Sequence, residues 1–155
     1  MDIFKLRDHS LEHELQGVVM ISMSKRGILT AVEELNVENL TRFLALISRG
    51  YKNISYHNKT HGSDVCQTFN FFLQGDGLIK KCKMTHEESM AYLIAAVCHD
   101  YEHPGVNNVF LTQIRDKVAV RHNDVSVLEN HHIAATFDLI TSSNELNWLS
   151  GFSVK

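Results

Sequence analysis

Residues 36–50, NVENLTRFLALISRG, place Leu40, Phe43, Leu44 and Ile47 at positions i, i+3, i+4 and i+7. A helix of 3.6 residues per turn gathers those four side chains into one stripe that needs a core to face. Asn36 stands before the run as an N-cap, and Gly50 ends it. The same signature extends in both directions. Upstream, Leu11 to Arg26 read as a helix that Gly27 terminates. Downstream, a helix from Ser55 to Leu73 has Val65, Phe69, Phe72 and Leu73 as its buried side, and Gly75-Asp76-Gly77 breaks it. Thr85 and Glu88 form a capping box ahead of Met90, Leu93, Ile94 and Val97. Ser126 and Glu129 are a second capping-box candidate, opening a helix through Leu128, His132, Ala135 and Leu139. Residues 107–122 read as helical with a weaker pattern. The single proline, Pro104, and the near absence of period-2 alternation agree with this reading. The expected fold is all-α, a compact multi-helix array, and 155 residues suit one domain.

Composition narrows the function classes. The chain is 44% hydrophobic and 21% charged, an ordinary globular balance. A net charge of −3 gives no general attraction to nucleic acid or to an anionic membrane. No apolar run approaches the roughly 20 residues that span a bilayer. The opening Met1-Asp2-Ile3-Phe4-Lys5 lacks the charged and apolar regions of a secretory signal, so a cytoplasmic location is expected. Cys66, Cys82 and Cys98 are odd in number and evenly spaced, which suits neither a disulfide framework nor a CxxC zinc knuckle. Reduced, mostly buried thiols are expected.

Histidine is the unusual residue, with ten copies. The HxxxH spacing, which on a helix aims two imidazoles at one ion, occurs at His9/His13, His57/His61 and His99/His103. Random placement yields roughly 0.6 such pairs, so a single pair carries little weight. His9/His13 lies among Arg7, Asp8, Glu12 and Glu14 and reads as a solvated face. His99-Asp100 differs, because it closes the apolar run Ala91 to Cys98. A nitrogen donor and an anionic oxygen at the edge of a core are costly to bury alone, and a divalent cation compensates both. The loop Tyr101-Glu102-His103-Pro104-Gly105 returns a further imidazole to the same place. A buried aspartate paired with an Arg or Lys is the competing explanation, and the nearby histidines weigh against it. In Leu128-Glu129-Asn130-His131-His132, Glu129 and His132 share a helix face. Alternatively, Glu129 is only a capping acid and the histidines are exposed.

Together these segments resemble the class I cyclic nucleotide phosphodiesterases. Tyr56-His57-Asn58-Lys59-Thr60-His61-Gly62-Ser63-Asp64-Val65 is similar to the family's YHNxxHAxDV segment. His99-Asp100-Tyr101-Glu102-His103-Pro104-Gly105-Val106-Asn107-Asn108 fits the signature HD-x-x-HxG-x-x-N. The stretch from Asn123 to His132 resembles NDxSVLENHH. Gly62 replaces the usual alanine, which on propensity alone loosens a helix by less than about 1 kcal/mol.

The resemblance implies a helical array of the His-Asp metal phosphohydrolase type that hydrolyses cAMP or cGMP to the 5′-monophosphate. It makes His61, His99 and Asp100 ligands of a zinc-like ion, with Asp100 bridging to a second ion, magnesium or manganese. His103 and Glu129 would hold that ion's waters, and Asp64 would orient His61. His57 would donate a proton to the leaving 3′ oxygen, a task suited to an imidazole at neutral pH. His57, His61 and Asp100 would touch the substrate. In the family, a further Asp ligand and a purine-gripping Gln come from later helices. The chain stops at Lys155, before either, and neither Asp138 nor Glu145 stands where the missing ligand belongs. Residues 1–155 are therefore expected to be the N-terminal, metal-binding part of a truncated catalytic domain, with Trp148 and Phe152 left exposed. Two other readings are a catalytically incomplete metal-binding module acting through a partner chain, and another His-Asp phosphohydrolase acting on nucleoside phosphates.

Overall fold

The computed structural model of the chain describes residues 2–11, 13–73 and 81–152, and no strand occurs among them. The helices are α1 (Ile3–His9), α2 (Glu14–Lys25), α3 (Ile28–Ala31), α4 (Val37–Gly50), α5 (Lys59–Phe72), α6 (His86–Cys98), α7 (Asn108–Gln113), α8 (Lys117–Arg121) and α9 (Val127–Thr141). The all-α expectation is borne out, whereas several boundaries move for identifiable reasons.

Helix α4 starts where Asn36 accepts from the Asn39 amide at 3.0 Å, and Leu40, Phe43, Leu44 and Ile47 are fully buried. Each such side chain contributes about 1.5–3 kcal/mol by leaving water. Helix α2 begins at Glu14, three residues later than read from the sequence, because Leu11 sits at φ 50, outside the helical range, and His13 is the N-cap. Its end agrees with the reading: Gly27 takes φ 71, a conformation open to residues lacking a Cβ. Thr85 and Glu88 form the expected capping box of α6, with bonds of 3.2 and 2.8 Å. The expected box at Ser126 is absent. Ser126 sits at φ 42 and gives no side-chain cap, while Glu129 is engaged by Asn108. The weak segment 107–122 resolves into α7 and α8, capped separately by Asn107 and Asp116. The Gly75-Asp76-Gly77 break lies outside the described residues.

Helix α5 is held between α2 and α6. Arg26 fixes its far end, donating to Asn70 Oδ1 at 2.8 Å, Asn70 O at 2.7 Å and Leu73 O at 3.0 Å. These bonds satisfy carbonyls that a helix C-terminus leaves unpaired. The main core joins Leu15, Val19, Met23, Phe43, Leu93 and Val97, and Trp148 closes it against Phe43 at 6.0 Å between ring centroids. Trp148 is thus buried, at 4% exposure, and Phe152 packs partly on the same core. The expectation that both would be exposed is corrected, because Phe43 of α4 covers Trp148 and Phe152 packs on the main core. A smaller cluster of Leu111, Ala119, Val127 and Leu128 ties α7 and α8 to the start of α9. Cys66 and Cys98 are buried, Cys82 is exposed, and all three are free.

Candidate metal centre

Asn58 positions the first histidines. Its Oδ1 accepts from the amides of Thr60 and His61 at 3.0 and 3.2 Å, and its Nδ2 donates to Ile54 O at 2.8 Å. An N-cap of this kind stabilises by about 1 kcal/mol. It also separates two histidines read from the sequence as one helical pair. His61 lies in the first turn of α5, while His57 stays in the loop before the cap. His99 is the C-cap of α6, and Asp100 follows in a turn closed by Tyr101 N–H to Cys98 O and His103 N–H to Asp100 O, both 3.0 Å. The turn continues through Glu102 at φ 62, whose carboxylate meets His131 Nε2 at 3.1 Å, and Gly105 at φ 87.

Asp100 is the centre of the cluster. Its Oδ2 lies 3.4 Å from His61 Nε2 and 3.1 Å from His99 Nε2, and its Oδ1 lies 3.7 Å from His132 Nε2. Two donor groups therefore share one carboxylate: His61, His99 and Asp100 on one side, and Asp100, His103 and His132 on the other. Hydrogen bonds fix the tautomers. His99 Nδ1–H donates to Ala96 O at 2.8 Å, and His132 Nδ1–H donates to Tyr101 O at 2.6 Å. In the neutral rings both Nε2 atoms then turn lone pairs toward an anionic oxygen, an arrangement that a proton or a cation must relieve. His103 is the opposite case. Its Nδ1 accepts from Gly105 N–H at 3.0 Å, so the neutral ring carries its proton on Nε2 and acts there as a donor. This set of imidazole nitrogens and carboxylate oxygens fits a divalent cation.

The electrostatics agree. Burial pushes the Asp100 carboxyl up, but the His99 hydrogen bond and the His99, His57 and His103 charges outweigh it and bring it to about 2. His99 is raised, chiefly by its bond to Asp100. Burial lowers His61 and His132, and it lowers His103 to about 4, where the His57 charge adds to the effect. His57 stacks on His103 at 3.8 Å and 9°. It faces a cavity of about 550 Å³ that Asn108, Phe110 and Glu129 also line. An apolar groove of about 560 Å³ between α6 and α9 opens beside His99 and His132.

Comparison with known proteins settles the family. Residues 56–155 match the 3′5′-cyclic nucleotide phosphodiesterase family. The chain belongs to that family. It is 35% identical over 153 residues to the 3′,5′-cyclic-nucleotide phosphodiesterase regA of Dictyostelium discoideum, covering 98% of the chain and 18% of the relative. It is 34% identical over 145 residues to the 3′,5′-cyclic-AMP phosphodiesterase 4C of Rattus norvegicus, covering 93% and 26%. To the human dual specificity calcium/calmodulin-dependent 3′,5′-cyclic nucleotide phosphodiesterase 1C it is 32% identical over 154 residues, covering 98% and 21%. The chain thus spans about a fifth to a quarter of the length of these relatives.

In this phosphodiesterase-family chain, His57, His61, His99, Asp100 and His103 come together in one cluster. Glu129 stands at its edge, exposed, with Oε2 accepting from Asn108 Nδ2 at 3.0 Å. Asp64 is exposed and acts on His61 through its charge. His9 and His13 are exposed and lie apart from the cluster, as read, and Asp138 and Glu145 are exposed outside both donor groups. Three contributors went without a role in the sequence reading. His132 has its signal in the paired histidines after Glu129. Asn58 and Asn108 stand inside quoted motifs, and Asn108 bridges Glu129 to the Leu128 amide, 2.9 Å from its Oδ1.

Proposed function

We propose that residues 1–155 are the N-terminal, metal-binding part of a catalytic domain that hydrolyses 3′,5′-cyclic nucleotides to 5′-monophosphates in the cytoplasm. The observation that carries this reading is the single carboxylate of Asp100 placed between two nitrogen-donor groups. His61, His99 and Asp100 would hold zinc on one side, and Asp100 would also serve magnesium or manganese on the other. Bound ions would supply charge neutralisation at the phosphate and polarise its P–O bonds. His103 would donate its Nε2–H to a water of the second ion, His132 would accept there, and Glu129 would accept from the cavity side. Asp64 tunes His61 by charge. His57, held face to face with His103 and open to the cavity, protonates the 3′ oxygen as a water oxygen bonds to phosphorus and the P–O3′ bond breaks, and the proton given up by that water balances the one His57 loses. His57, His61 and Asp100 border the bound phosphate.

The test follows cAMP and cGMP by phosphorus NMR with zinc and magnesium present, for this chain and for any longer product of its reading frame. Metal-dependent release of 5′-monophosphate by the longer product, lost in its His57→Ala form with metal content intact, and little release by residues 1–155 alone, is the expected result. Metal-independent release, or release unchanged in His57→Ala, would contradict it. One observation favours a second reading, an incomplete metal module completed by another segment or chain: the apolar groove ends at His99, beside a three-donor group. Zinc binding with no release by either this chain or a longer product would favour that reading.

A further inference from the structure

Tyr51 lies outside every motif and supplies no metal-donor atom, yet it touches α6 and the turn after it and packs against Gly62 of α5. It is the C-cap residue of α4 and is 7% exposed. Its hydroxyl donates to Val97 O at 3.0 Å. Val97 is in the last turn of α6, where carbonyls lack a helical partner, and the Tyr101 amide that would have served it bonds Cys98 O instead. On the other side, the Tyr51 hydroxyl oxygen fills the space left by the missing side chain of Gly62. A Cβ there would stand 2.9 Å from Tyr51 Oη and 3.1 Å from Cζ. Gly62 directly follows His61 on α5, so its role is to admit Tyr51 and not merely to loosen a helix. The Tyr51 ring meets Tyr101 edge-on at 6.5 Å and 74°, and Tyr101 O receives His132 Nδ1–H. Tyr101 in turn lies so close over Gly50 that a Cβ there would collide with its ring.

We propose that Tyr51 is a positioning residue of the metal centre. Its hydroxyl, lodged between Gly62 and Val97, sets the distance from His61 on α5 to the His99–Asp100 turn of α6. The inference rests on the metal-centre reading above. Tyr51→Phe removes one oxygen and keeps the ring. Gly62→Ala keeps the oxygen and drives a methyl into it. Two readouts are compared with the unmodified chain: zinc affinity in competition with a chelator, and the visible absorption of the cobalt-loaded protein. Both substitutions should weaken zinc roughly ten- to a hundredfold, the usual effect of losing a partner behind a ligand, and shift the cobalt bands. The double variant should lose less than the two single losses combined, because the methyl then occupies the place of the hydroxyl. Unchanged zinc affinity and cobalt bands in folded Tyr51→Phe, whatever its melting temperature, would overturn the proposal. Should that variant not fold, the same two readings on Gly62→Ala decide. An unmodified chain that binds neither metal would overturn the centre itself, and the inference with it.

Discussion

His99→Ala should release the Asp100 carboxyl from about 2 to 3.8 or above. Burial is the largest influence on that carboxyl and works upward, and the His99 hydrogen bond is the largest one opposing it. Removing the imidazole leaves burial opposed by the charges of His57 and His103 and by the His61 and His132 rings at 3.4 and 3.7 Å. At 1.36 kcal/mol per tenfold change, the fall from 3.8 to about 2 corresponds to about 2 kcal/mol. Because the side chain is only 14% exposed, solvent screening removes a small part of this. The folded value lies below the unfolded one, so the contribution is present above pH 3.8 and disappears as pH falls toward about 2. The direct assay is a carbon NMR titration of the aspartate carboxyls in EDTA, comparing the unmodified chain with His99→Ala. Urea melts between pH 4 and 2 should show the unmodified chain losing about 2 kcal/mol more than the variant over that interval. An Asp100 midpoint that stays near 2 without His99 would refute the reasoning.

Further expectations concern other parts of the chain. Zinc affinity should rise with pH through the imidazole range, because the raised His99 proton competes for the atom the ion needs; isothermal titration at several pH values measures it. Trp148→Ala should cost about 3–5 kcal/mol in a urea melt followed by circular dichroism, since the ring is buried on Phe43; a loss below about 1 kcal/mol would contradict that packing. Iodoacetamide at pH 8 should label Cys82 alone, because burial pushes the Cys66 and Cys98 thiols up to about 12. In a turning-over domain, His57→Ala should lower the rate by about 10²–10⁴-fold with zinc retained; loss of zinc would mean that His57 is a ligand.

Much of the fold was legible because local chemistry decided it. Asn36, the Leu40–Ile47 stripe and the Thr85–Glu88 box act within a turn or two of themselves, and the structure keeps all three. Features set by distant partners were not legible. Ser126 has the chemistry of a cap, but its backbone is at φ 42 and Asn108, 20 residues earlier, serves the Leu128 amide. Trp148 is covered by α4, more than a hundred positions away in the chain. The centre was readable as a set of residue types, while its internal division of labour was not. Opposite tautomers at His103 and His132 depend on Gly105 N–H and Tyr101 O, and the turn geometry alone brings those groups into place. The fit of Tyr51 to Gly62 is likewise a packing relation between two helices.

The central claim is that Asp100 joins two cation sites, and metal analysis of the purified chain beside Asp100→Ala tests it most directly. The samples are equilibrated with zinc and magnesium and freed of unbound ions. The account predicts zinc on the unmodified chain and neither ion on Asp100→Ala, with circular dichroism confirming that the variant is helical. Undiminished zinc on folded Asp100→Ala would contradict it.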